Sequence, residues 1–171
     1  MKHRSVFLSL VACGLLLAFL GRAEAIPEGL PVAERVVVVK SERRLYLLRG
    51  GVPFRSYRIA LGLNPRGPKE QEGDFRTPEG AYRLDARNPA SEFFLSLHVS
   101  YPSEQDLVRA RGRGASPGGA IMIHGQPNVP KHPRTYYERN DWTNGCIALA
   151  NDDMLEVWLM TRVDTPIEIR P

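Results

Sequence analysis

The sequence predicts a mainly β domain, an all-β barrel or sandwich carrying two short helices. Short runs rich in Val, Ile, Tyr and Leu recur along the chain, separated by clusters of Gly, Pro, Asn, Asp and Ser. Only two stretches carry helix-start signals. Those helices are too few, and wrongly placed, to alternate with strands in a doubly wound sheet.

Taken in order, Ile26 to Ala33 is a Pro-containing leader, and Val36-Val37-Val38-Val39 is a β-branched run suited to a buried strand. Ser41-Glu42 turns it back into Arg43 to Leu48, giving a hairpin. Gly50-Gly51 supplies the next turn, and Val52 to Leu61 alternates well enough for a third strand before the Pro65 to Gly73 loop. Phe75 to Leu84 holds a turn and a further strand, and Phe93 to Val99 another.

Ser103 followed by Asp106 reads as a capping box for a helix ending near Gly112. Ala120 to His124 and Gly145 to Leu149 are short strands on either side of a long polar loop. Asn151, with Asp152 and Asp153 in the first turn, is expected to cap a helix through about Thr161, and Pro166 to Arg170 closes with a final strand.

The N-terminus places Lys2, His3 and Arg4 before an apolar run from Val6 to Leu20, then Ala23-Glu24-Ala25. That is the pattern of a secretory signal peptide cleaved after Ala25. The apolar run is about 15 residues, short of the roughly 20 a spanning helix needs. Leu10-Val11-Ala12-Cys13 also fits a lipoprotein cleavage box, but lipidated Cys13 would leave Gly14 to Leu20 as an exposed apolar tail. The expected organisation is therefore a signal peptide (1–25), a leader (26–34) and one domain (35–171), exported to the periplasm or cell envelope and without a stable membrane anchor after cleavage.

Removal of residues 1–25 would lower the net charge from +4 to +2, a balance that predicts little about nucleic acid; with an export signal, no nucleic-acid partner is expected. Arg109, Arg111 and Arg113 lie in a Gly-rich stretch that could meet an anionic ligand, carboxylate or phosphate, but reads better as a solvated loop.

Cys146 is then the single cysteine of the exported chain. An oxidising compartment makes an unpaired thiol a liability, so its retention points to a chemical role, and a histidine elsewhere in the chain suggests a nucleophile–base pair. His124 is the candidate base: it ends the apolar Ile121-Met122-Ile123 run and precedes Gly125. Gly145 permits a tight backbone beside the nucleophile, and the amides of Gly145 and Cys146 are candidate donors to an oxyanion. Thr143 and Asn144 are candidates to order the ring or the loop through side-chain hydrogen bonds, Asn144 being equally readable as a plain turn residue.

His98, inside an apolar run, reads as a packed strand residue, and His132 as a loop residue. Trp142 and Tyr101 read as packing aromatics that could also line a cleft. No paired ligand spacing supports a metal site, and no cofactor motif is present.

Ile123-His124-Gly125 followed by Thr143-Asn144-Gly145-Cys146-Ile147-Ala148-Leu149 resembles the L,D-transpeptidase catalytic domain, the YkuD-like family. Gly73 to Tyr82, with Thr77-Pro78-Glu79-Gly80-Ala81-Tyr82, resembles that family's Thr-Pro-x-Gly-x-Tyr segment, and the hairpin with Lys40, Arg44, Leu45 and Tyr46 resembles its opening strands. The match covers roughly residues 35 to 170. The resemblance implies a β-rich fold in which the Cys146 thiolate attacks a peptidoglycan stem peptide after an L-centre, with His124 as base and then acid. Gly125, Thr143, Asn144 and Gly145 would shape the substrate site. The acceptor would be an amine of a second stem, a free D-amino acid or a lipoprotein, with water as acceptor making the domain a hydrolase.

Asn144 and Ala148 stand where family members often have histidine and arginine. The His124 to Cys146 interval is also longer than usual, implying an enlarged loop, Gln126 to Asp141, over the cleft. A non-catalytic wall-binding module of the same fold is the competing expectation.

Overall fold

The computed structural model describes residues 29–171. The expected signal peptide, Cys13 and the first part of the leader lie outside the described residues.

Eight strands form one curled sheet, ordered β3-β2-β1-β8-β4-β5-β6-β7. β1 (Arg35–Val39), β2 (Arg44–Arg49) and β3 (Val52–Arg58) make an antiparallel meander. β4 (Gly80–Ser91) and β5 (Phe94–Val99) form a long hairpin whose register shifts near its tip, between Asn88 and Ser91. β6 (Met122–His124) pairs with β5, and β7 (Ile147–Ala148) runs parallel to β6. β8 (Thr165–Arg170) joins the two halves, parallel to β1 and antiparallel to β4.

Alternation explains the core. Leu45 and Leu47 on β2, Ile167 and Ile169 on β8, and Leu97 and Val99 on β5 each point one way along the pleat and are buried. They meet Val36, Val38, Leu84, Ile123 and Ile147 in one continuous apolar cluster.

The expected third strand stops at Arg58 rather than Leu61. Residues 59–62 leave β2 and bridge to the other end of the sheet, with Ala60 opposite Ala148 and Gly62 opposite Thr143. Sheet closure is what ends the strand early, because backbone groups committed to Ala148 are not available to β2.

Three helices are present among the described residues, one more than expected. α1 (Glu104–Gly112) carries the predicted capping box, with Ser103 and Asp106 each bonding the other's backbone amide. Arg109 and Arg111 lie in the last turn of this helix and Arg113 is its C-cap, which corrects the expected loop; Arg109 pairs with Asp106, while Arg113 reaches Glu70. α2 (Arg134–Arg139) forms inside the loop read as polar and irregular, with Tyr137 buried against the aromatic side chain of Trp142.

α3 (Asn151–Met160) packs Met154, Val157 and Met160 into the core. Its N-cap is Ala150, without a side-chain cap, so the expected Asn151 cap is corrected. The Asn151 carboxamide oxygen instead accepts the Gln126 amide at 2.8 Å. No helix among the described residues is long and apolar enough to cross a membrane.

Candidate active site

The site forms where β6 and β7 run side by side. Ile123 pairs with Ile147 and His124 with Ala148, and both isoleucines point into the core. By alternation, His124 and Cys146 lie on the opposite face of the two strands. Cys146, one step before Ile147, falls level with Met122, whose amide donates to its Sγ at 3.4 Å. Both candidate residues line one cleft of about 760 Å³.

The thiol is half-buried and donates to the Ala120 carbonyl at 3.6 Å. Burial pushes the thiol up from its ordinary value, opposed by the Met122 amide and then by the charge of Lys69. His124 is only 4 % exposed, and desolvation pushes its imidazole down to about 4, although a hydrogen bond to Gly125 opposes this. The resting pair at neutral pH is therefore a neutral thiol and a neutral ring, not a thiolate–imidazolium pair.

His124 Nδ1 lies 2.6 Å from the Gly125 carbonyl oxygen. A carbonyl can only accept, so Nδ1 carries the proton and Nε2 keeps its lone pair, the arrangement a general base requires. The ring is held on two sides by aromatics, with Phe93 at 4.6 Å and Trp142 at 5.6 Å between centroids. Tyr137 packs edge-on against Trp142 at 5.1 Å, and its carbonyl accepts the indole N–H at 3.2 Å.

Gly125 does not line the cleft but supports it. Its amide donates to Phe93 and Leu95 carbonyls, and a Cβ there would lie 2.6 Å from the Asn151 Oδ1 that holds the next amide. Gly145 has φ +129°, and its Cα faces the Arg76 carbonyl so closely that a Cβ would stand 2.7 Å away. This contact seats the loop that leads into the Thr77-Pro78 segment against the turn that carries Cys146.

Thr143 closes the Cys146 turn. Its hydroxyl donates to the Cys146 carbonyl at 2.7 Å and accepts the Gly145 amide at 3.1 Å. The Gly145 amide is thus committed, which corrects its reading as an oxyanion donor. Asn144 is exposed at the cleft, and the ring of His124 is ordered by Gly125 rather than by Asn144.

The remaining aromatic and histidine readings divide. Trp142 lines the cleft, whereas Tyr101 is buried and donates to the Pro117 carbonyl at 2.9 Å. His98 pairs with Asp85 at 2.5 Å, and His132 stacks on Tyr136.

The loop from Gln126 to Asp141, expected over the cleft, contributes none of the lining residues among those described. It acts at one remove, by seating Trp142. The walls come instead from the Lys69 to Phe75 loop, the β4–β5 tip and residues 118–122. Phe93 and Lys69 are the site residues that sequence reasoning missed, since neither belongs to a local motif and only the folding of the tip and loop brings them to the thiol.

The model of the L,D-transpeptidase catalytic domain (YkuD) matches residues 33–169. The chain belongs to this family.

Among curated proteins the domain is similar to Escherichia coli YafK, which bears a provisional L,D-transpeptidase name. The two are 32% identical over 129 residues, covering 72% of this chain and 45% of YafK. Among solved structures it is similar to the helical cell shape determining protein Pgp2 of Campylobacter jejuni, at 26% identity and TM-score 0.60, over 79% of this chain and 46% of Pgp2. An L,D-transpeptidase from Mycobacterium smegmatis shares the fold at 15% identity and TM-score 0.53, over 80% of this chain and 58% of that one. The chain spans about half the length of the curated relatives it matches.

Proposed function

We propose that this L,D-transpeptidase-family domain transfers acyl groups of peptidoglycan stem peptides through a thioester on Cys146, in the periplasm or cell envelope, during wall biogenesis or remodelling. The observation that carries the reading is the placement of Cys146 and a neutral, buried His124 on one face of neighbouring strands in a single cleft.

In this reading His124 Nε2 takes the thiol proton as Sγ attacks the carbonyl following an L-centre. The Cys146 amide, without a partner among the described residues, is placed to meet the developing oxyanion. The imidazolium returns the proton to the departing D-amino acid, leaving the thioester. An acceptor amine, from a second stem, a free D-amino acid or a lipoprotein, then gives up a proton to His124 and takes the acyl group; water in its place gives hydrolysis. Export is supported by the pattern of residues 1–25. A role in cell shape is suggested by the likeness to Pgp2.

A wall-binding module without turnover is the second reading, favoured by the raised thiol and by Asn144 and Ala148. Residues 26–171 and the Cys146→Ala variant should be incubated with tetrapeptide-stem muropeptides and the products weighed by mass spectrometry. Cys146-dependent cross-linked dimers that have lost the terminal D-residue are expected. Shortened monomers alone mean hydrolysis, and binding to sacculi without any Cys146-dependent product means a binding module.

A further inference from the structure

Nineteen residues line the cleft, and Lys69 is the only Lys or Arg among them; the acidic members, Glu72 and Glu92, are both exposed. Lys69 is unlike an ordinary surface lysine. Its side chain is 4% exposed, and its Nζ donates to Asp74 Oδ1 at 2.7 Å and to the Gln71 carbonyl at 3.0 Å. An ammonium group is rarely buried unless paired, and the chain has built the pair with care.

Asp74 also accepts the amides of Glu70 at 2.7 Å, Gln71 at 3.2 Å and Arg76 at 3.1 Å. One carboxylate therefore ties the whole 69–76 loop around the ammonium group. Four donors to Asp74 hold its carboxyl below the usual carboxylate range, against the opposing effect of burial. The loop is in turn fixed to the nucleophile's own turn, since the Arg76 carbonyl packs on Gly145. The neighbouring cation, Arg76, points instead to Glu70 and the Pro68 carbonyl.

The pair has a direction. Lys69 faces the cleft, whereas Asp74 is not among the lining residues and lies behind it. Burial of the pair limits screening by water, and of its two charges Lys69 is the one that acts on the Cys146 thiol.

We propose that Lys69, held by Asp74, is a positioning residue of the site: a fixed cation that stabilises negative charge on Cys146 Sγ as the proton leaves for His124. Together with the Met122 amide it offsets the cost of forming a thiolate in a desolvated cleft. Other charges facing the thiol are few. Glu72 and Glu92 are solvated, and His124 is neutral at the pH of use. This inference rests on the thiol nucleophile of the proposed function but not on its substrate.

The test follows alkylation of Cys146 by iodoacetamide across pH in the wild-type domain and in Lys69→Met, Lys69→Arg and Asp74→Asn. Alkylation needs no peptidoglycan, so a failure of transpeptidation in muropeptide assays leaves this result readable. Lys69→Met is expected to move the inflection to higher pH and to slow alkylation at pH 7 by about three- to tenfold, as loss of a nearby opposite charge does. Lys69→Arg should restore the wild-type profile, and Asp74→Asn should move the inflection to lower pH.

A Lys69→Met inflection at or below that of the wild type, in protein that unfolds cooperatively, overturns the proposal. Should Lys69→Met not fold, an Asp74→Asn inflection that is not below the wild-type value overturns it equally.

Discussion

Ala60 and Ala148 exchange both backbone hydrogen bonds, Ala60 N–H to Ala148 O at 2.8 Å and Ala148 N–H to Ala60 O at 2.9 Å. These residues lie near opposite ends of the eight-strand sheet, so the exchange curls it towards a closed barrel. It is flanked by the Leu63 amide on Thr143 O and the Thr143 amide on Leu61 O, at 3.0 and 3.1 Å. Cys146 thus sits inside the seam that closes the sheet, with pairing on both sides of it.

Ala60→Pro deletes one donor of the exchange and leaves the buried Ala148 carbonyl unpaired. A loss of about 2 kcal/mol is expected, read by urea unfolding. Faster Cys146 alkylation should accompany it, because opening the seam exposes the thiol. Unchanged stability would show that the seam does not hold the sheet.

Gly145→Ala meets two obstacles: φ +129°, which L side chains rarely adopt, and the Arg76 carbonyl 2.7 Å from the new Cβ. The loop carrying Arg76 must shift, or the Cys146 turn must. Thioester formation is expected to fall by at least about tenfold, since misplacement by an ångström is costly in near-attack geometry, while unfolding stays cooperative. Wild-type rates of acylation, followed by intact-mass spectrometry, would refute the close-approach role.

Stability should depend on pH through His124. In the folded state the ring stays neutral down to about 4, whereas in the unfolded chain it takes a proton near 6.5. Between those values the unfolded state binds more protons, so stability falls as pH drops from 6.5 towards 4 and levels off below. The full span corresponds to at most about 3 kcal/mol. Comparing denaturant midpoints of the wild type and His124→Gln across this window isolates the contribution, which the variant should lack.

Trp142→Ala removes one of the two aromatic walls around His124 and lets water reach the ring. Desolvation is the cause of the depressed imidazole, so its titration is expected to climb from about 4 towards 6.5. Proton NMR of the His124 ring reads this directly. A titration unmoved in the variant would mean that Phe93 and the strand backbone alone keep the ring dry.

The fold class and most elements were legible in the sequence because their signals are local. Alternating Leu45 and Leu47, the Ser103–Asp106 box and the Ile123-His124-Gly125 and Gly145-Cys146 segments each declare themselves within a few residues. The same holds for the candidate nucleophile and base, whose residue types restrict what chemistry they can do.

Local signals were also where the reading went astray. Asn151 has the composition of a cap, but its carboxamide is taken by the Gln126 backbone, a partner 25 residues away. Gly145 presents a free amide on paper, and the Thr143 hydroxyl claims it in the folded turn.

By itself, then, the sequence determined a β-rich L,D-transpeptidase-family domain with Cys146 and His124 as its reactive candidates. Only the tertiary structure decided that residues 59–62 help close the sheet, that Phe93 and Trp142 dry the imidazole, and that Lys69 lines the same cleft as Cys146. The reason is physical: strand and cap preferences act over a few residues, whereas desolvation and charge act through space, between groups that the chain brings together only on folding.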